Sequence, residues 1–79
     1  VAEKKFVLTE VYDREIYNKF FETFEEAQEE MYRELDDMFD TCFLESYQPI
    51  YGEDYMRNSD SCYINGSCGN VDWVIDEIH

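Results

Sequence analysis

Nine acids fall within residues 22–40: Glu22, Glu25, Glu26, Glu29, Glu30, Glu34, Asp36, Asp37 and Asp40, with Arg33 the single base among them. On a helix rising about 1.5 Å per residue this stretch is roughly 28 Å long. It therefore carries about one negative charge per 3 Å, close to the one per roughly 3.4 Å of a single DNA strand. Like charges four residues apart (Glu22/Glu26, Glu25/Glu29, Glu26/Glu30, Glu30/Glu34, Asp36/Asp40) each cost an isolated helix roughly 0.2–0.5 kcal/mol. A chain selected for solubility alone would place Lys at some of those positions. Carboxylates at this density can stand in for phosphates in a basic groove of another protein. The plain alternative is the solvated face of an acidic protein.

Other chemistry is thinly supplied. Cys42, Cys62, Cys68 and His79 are zinc-ligand types, but the five-residue gap between Cys62 and Cys68 is not knuckle spacing. Asp36, Asp37 and Asp40 cannot wrap a calcium ion from adjacent helical positions, and no D-x-D-x-D-G loop is present. The one His is residue 79, which disfavours a His-dependent triad, and no phosphate-binding glycine motif occurs. The expectation is a protein that is not an enzyme, with no cofactor and no metal. Seven Tyr, at 12, 17, 32, 47, 51, 55 and 63, are a second resource, because Tyr is enriched at interface hot spots. Tyr32 lies off the apolar helix stripe, among the acids. Tyr51 and Tyr55 fall beside Glu53 and Asp54 in a loop. Tyr12, Tyr17 and Tyr63 read as rings packed on a sheet.

Composition bounds the rest. The chain has 79 residues, 20 acids against 6 bases, and a formal net charge of −14. That repels nucleic-acid phosphates, so direct nucleic-acid binding is not expected. The aromatic fraction of 18% separates the chain from disordered acidic tails. No run of 18 apolar residues exists, so no membrane span is expected, and no signal-peptide pattern is visible. An odd number of Cys without such a signal points to reduced thiols in a cytoplasmic setting. Cys62 and Cys68 flank a Gly-containing turn and are the one pair that hairpin geometry would bring together.

The elements that would position these groups make one domain, residues 1–79. Two β-branched and aromatic runs within 5–21, broken at Asp13-Arg14, predict a hairpin of undetermined turn type. Thr23-Phe-Glu-Glu26 is a capping box. Phe24, Ala27, Met31, Leu35, Met38 and Cys42 then trace one helical face, predicting a helix over 24–43. Pro49 and Gly52 make 44–59 read as an irregular loop, with a helical turn at Tyr47, Tyr51 and Tyr55. Residues 60–78 predict a second hairpin, with Val71, Trp73 and Ile75 on one face and Asp72, Val74 and Asp76 on the other. The class is α+β, order ββαββ, an antiparallel sheet with one long amphipathic acidic helix on one face.

The stretch from Phe21 to Met31 after a hairpin, and the closing Val71-Asp-Trp-Val-Ile-Asp-Glu-Ile78, resemble small acidic proteins encoded by gut-type bacteria, their phages and mobile elements. The resemblance implies a bacterial or phage cytoplasmic protein and brings no catalytic residues. The leading expectation is an inhibitor that mimics nucleic-acid phosphates. It would block a basic nucleic-acid-binding protein of host defence, such as a CRISPR effector or a restriction enzyme. Contact would run through Glu25, Glu29, Glu30, Tyr32, Asp36, Asp37, Asp40, Tyr51, Glu53, Asp54 and Tyr55. The alternative is an interaction module or homodimer using a Tyr-rich or sheet surface.

Overall fold

The structure, a computed structural model, describes residues 4–43, 46–66 and 69–78. Five strands and one helix follow in the order β1 (Phe6–Tyr12), β2 (Glu15–Phe21), α1 (Phe24–Cys42), β3 (Tyr55–Arg57), β4 (Ser61–Gly66) and β5 (Gly69–Glu77). All strands pair antiparallel in the order β2-β1-β5-β4-β3, with α1 on one face. The expected α+β class holds. One expectation is corrected: the segment read wholly as loop supplies β3, so the order is ββαβββ.

The first hairpin closes in two residues. Asp13 and Arg14 both take positive φ, 50° and 68°, as a type I′ turn requires. Neither is glycine, and Asp tolerates this backbone region better than Arg does. The helix begins where the capping box put it. Thr23 is extended, and the Glu26 N–H donates to its Oγ1 at 3.2 Å. The Thr23 hydroxyl in turn donates to Glu26 Oε1 at 3.1 Å, where the sequence predicts that Glu26 reaches the Thr23 N–H.

Alternation in β5 buries Val71, Trp73 and Ile75 under the helix. They join Leu8, Cys62 and Ile64 from the sheet and Ala27, Met31, Leu35 and Cys42 from α1 in one core. Trp73 is 1% exposed at its centre. Phe24 and Met38, expected on the buried stripe, are half-buried at its margin.

The far end of the helix approaches β4 closely. A Cβ on Gly66 would stand 2.9 Å from the Cys42 Cβ and 3.0 Å from its carbonyl oxygen. Glycine is required there by backbone proximity. Cys42 is disulfide-bonded and Cys62 is a free, buried thiol. This corrects the expectation that the thiols are all reduced; Cys62 itself is reduced as expected, and Cys68 lies outside the described residues.

Residues 46–54 are tied down by side chains. Asp54 Oδ2 accepts from the Tyr47 hydroxyl and the Ile50 N–H, both at 2.7 Å. The Asn65 N–H donates to the Asp54 carbonyl at 2.7 Å, and the Tyr63 hydroxyl donates to the Gly52 carbonyl at 2.6 Å. A single turn forms at 50–54, where the Glu53 and Asp54 N–H groups donate to the Ile50 carbonyl at 3.1 and 2.8 Å, but it does not continue as helix, and Tyr51 and Tyr55 share an isolated parallel bridge. Their rings meet edge to face at 5.2 Å. Tyr55 also meets Phe39 at 5.0 Å, which joins the loop to the last turns of α1.

Candidate protein-binding surface

The helix presents its acids in two groups with different environments. Glu30 and Glu34 sit on the flank facing β2. Lys19 reaches up from that strand to Glu34 Oε1 at 2.9 Å and Glu30 Oε2 at 3.2 Å. Arg33 also donates to Glu30. Burial pushes the Glu30 carboxyl upward, but hydrogen bonds from Arg33 and Lys19 outweigh it and leave the pKa below the ordinary value. The Lys19 ammonium is held above its ordinary value, chiefly by its hydrogen bond to Glu34. Below them, half-buried Glu10 has a raised pKa. Burial is the main cause, and the negative charge of Glu34 adds to it.

Glu25, Glu29, Asp36, Asp37 and Asp40 are exposed, and none forms an ion pair among the described residues. Glu22, at the start of the ridge, makes a distant 3.8 Å ion pair with Lys4. The last turn of α1 carries no basic residue, so Asp40 faces the negative end of the helix dipole uncompensated. The expectation of a continuous acidic stretch opposed by Arg33 alone is thus corrected. Lys19 neutralises one flank, and Glu30 is committed to ion pairs. A Lys fifteen residues from its partner leaves no local pattern, so the pairing was not legible in the sequence.

The Tyr and loop candidates separate in the same way. Tyr32 is half-buried. Its hydroxyl donates to the Asn58 carbonyl at 3.1 Å, and the Arg57 guanidinium lies 4.0 Å from its ring centre. Tyr55 is half-buried against Phe39, and Asp54 organises its own turn. The Ile50 N–H and the Tyr47 hydroxyl hold the Asp54 carboxyl below its ordinary pKa. The Tyr51 ring is exposed, but its hydroxyl bridges the Arg57 backbone, donating to the carbonyl at 3.0 Å and accepting from the N–H at 3.3 Å. Glu53 is exposed. Tyr17, expected to pack on the sheet, is exposed and donates to Glu15.

The opposite face of the sheet, the surface of the alternative reading, is open, and it includes Ile16 and Phe20, which the sequence reading did not single out. Val7, Val11, Ile16, Phe20, Val74, Tyr63 and Met56 share that face by strand register, with Asp72 and Asp76 between them. Ile16 is 66% and Phe20 55% exposed. Alternation in β2 carried the signal. Its two apolar sets, Ile16/Phe20 and Tyr17/Phe21, cannot both face one helix.

Among the described residues, no cluster of three or more His, Cys, Asp or Glu is arranged to hold a metal ion. Among those residues too, no helix is long and apolar enough to cross a membrane. No protein-family model, curated protein or solved structure matches the chain. The functional reading therefore rests on residues and geometry.

Proposed function

We propose that the protein is a non-enzymatic inhibitor that lays the outer face of α1 in a basic nucleic-acid-binding groove of another protein. The observation that carries this reading is the row of unpaired carboxylates Glu25, Glu29, Asp36, Asp37 and Asp40. One of them, Asp40, stands in the last turn, where the helix dipole opposes it. Leaving that repulsion without a Lys in the last turn costs stability and gains nothing within the fold. In a basic groove the same charges would replace phosphates and speed encounter. Nucleases of bacterial defence, restriction enzymes or CRISPR effectors, are the target class.

A cytoplasmic site of action fits that target but sets a condition. Disulfides are rare in reducing compartments. Action there requires that the fold survive reduction of Cys42.

The test is capture from bacterial lysate on immobilised protein at low and high salt, with elution by duplex DNA. The control is the Glu29→Gln, Asp36→Asn, Asp37→Asn variant. A nucleic-acid enzyme held by the parent alone, released by salt and by DNA, is the expected result. Equal capture by the variant overturns the reading. The second reading, an interaction module working through the sheet, is favoured by the exposed Ile16 and Phe20. Its signature is binding that persists or tightens with salt.

A further inference from the structure

The outer edge of β2 has the features of a self-complementary strand. Seven residues long and free of Pro, it ends the sheet, and residues 15–20 are all exposed. Exposed edges are ordinarily guarded by an outward Lys, a Pro or a bulge. Here the one Lys on the strand, Lys19, is drawn over the sheet face by Glu30 and Glu34. The edge is left unguarded.

The hairpin fixes which backbone groups it offers. A two-residue turn makes Tyr12 and Glu15 a hydrogen-bonded pair. Hydrogen-bonded and non-hydrogen-bonded pairs then alternate along the ladder. The pairs 10/17 and 8/19 are therefore bonded to β1, while Ile16, Asn18 and Phe20 aim their N–H and C=O groups outward.

We propose that this edge pairs with β2 of a second copy of the chain, antiparallel, with Asn18 opposite Asn18. Of the antiparallel registers, this one uses every outward group of Ile16, Asn18 and Phe20 on both strands; a shift by one bonded pair leaves Phe20 in one direction, or Ile16 in the other, without a strand residue opposite. It places Ile16 against Phe20 of the other copy on the open face. On the helix face it places Lys19 against Tyr17 and Glu15 against Phe21, so no like charges are directly opposed. Continued one step past the strand, it brings Arg14, which has no ion pair among the described residues, opposite Glu22. The strand itself carries Glu15 and Lys19 and is neutral, whereas the whole chain carries −14. It is a surface on which two such molecules can meet without net charge repulsion between the paired strands.

Antiparallel pairing of this kind sets the two-fold axis perpendicular to the sheet. The product is a ten-stranded sheet with both helices on one side. Growth stops at two copies, because the other edge, β3, has three residues and is bounded by the 46–54 loop. Pairing by one strand buries less than the roughly 1,200–2,000 Å² of a standard interface, so affinity of about micromolar order is expected. This inference is independent of the acidic-ridge reading.

Sedimentation velocity on the whole chain, to about 500 µM and at about 0.05 and 0.5 M NaCl, tests it. The expected result is a monomer–dimer equilibrium that tightens with salt. Asn18→Cys should give a reducible covalent dimer, since opposed Cα atoms of a bonded antiparallel pair lie about 5.5 Å apart, within disulfide reach. Ile16→Cys should not. Ile16→Lys with Phe20→Lys should weaken association at least about tenfold, and circular dichroism should show the fold retained. A monomer under all conditions overturns the proposal, as does a dimer that persists in the double Lys variant. Equal cross-linking through Ile16→Cys also overturns it. So does a chain that is monomeric alone but whose Ile16, Asn18 and Phe20 amides become protected in lysate, which assigns the edge to another protein's strand.

Discussion

The two edges of the sheet are finished by opposite means. At β3 the strand is short, and side chains close around it: Tyr51 on the Arg57 backbone, Tyr63 on Gly52, Asp54 on Ile50, and the Phe39–Tyr55–Tyr51 rings. Gln28 and Tyr32 of α1 hold the neighbouring turn through the Ser59 and Asn58 carbonyls at 2.8 and 3.1 Å. At β2 the strand is long, and beyond it no described element is paired. Among the described residues, only the Lys19 pairs cross from it to the helix by ion pairing. Where apolar burial and tethering are both dense, an edge is structural. Where backbone and apolar side chains are both left open, an edge is available.

The sharpest way to break this contrast compares one residue type at the two sites. Ile64→Ala, in β4 beside the fastened edge and 1% exposed, should cost about 2–5 kcal/mol in denaturant unfolding. Ile16→Ala, in β2, should stay within about 0.5 kcal/mol. Equal costs would mean that β2 is buried in solution and the edges do not differ as described.

Reduction should act next in size, again on the fastened side, where the Cys42 end of α1 meets Gly66. Loss of a disulfide from a small domain costs about 2–4 kcal/mol. A thermal midpoint unchanged by reductant would show that packing alone fastens this end.

On the helix, Asp40→Lys should raise stability by a few tenths of a kcal/mol, through the dipole and Asp36. The same change should weaken binding to any basic partner. A variant that is stabilised and binds as tightly as the parent would separate the ridge from function.

The smallest effect is in pH, and it tests the Lys19 side. The Glu10 pKa is raised in the folded chain, so its favourable contribution is present at acid pH and lost as pH rises through the raised value. The Glu30 pKa is lowered, so its contribution is present near neutrality and lost as pH falls below about 4 through the lowered value. Stability should therefore peak in mild acid. Glu10→Gln should flatten the rise as pH falls toward the ordinary carboxylate value, and Glu30→Gln should flatten the fall below it. Profiles that match the parent would refute both assignments.

The legible parts of this fold are those encoded locally. The capping box and the steps from Phe24 to Cys42 announce α1, and alternation announces β5 and the first hairpin. The turn type was hidden because Asp13 and Arg14 adopt positive φ without glycine. β3 was hidden because three residues are too few for alternation, and because Tyr at spacing four mimics a helical turn. The acidic ridge was visible as composition. Its division into paired and unpaired halves depends on Lys19, which reaches Glu30 and Glu34 only once β2 and α1 are side by side.

The sheet order also carries a kinetic consequence. Its central partners, β1 and β5, bring Phe6 opposite Glu77 across nearly the whole chain. Closing a loop of that length costs about 4 kcal/mol of chain entropy by the logarithmic rule, before the Leu8–Ile75 and Glu10–Trp73 pairs return anything. The first hairpin and α1 can form early from local contacts, but the Trp73 core waits for the last strand. Folding should be slow for so small a domain, about milliseconds to seconds, and on a ribosome it cannot finish until β5 has emerged.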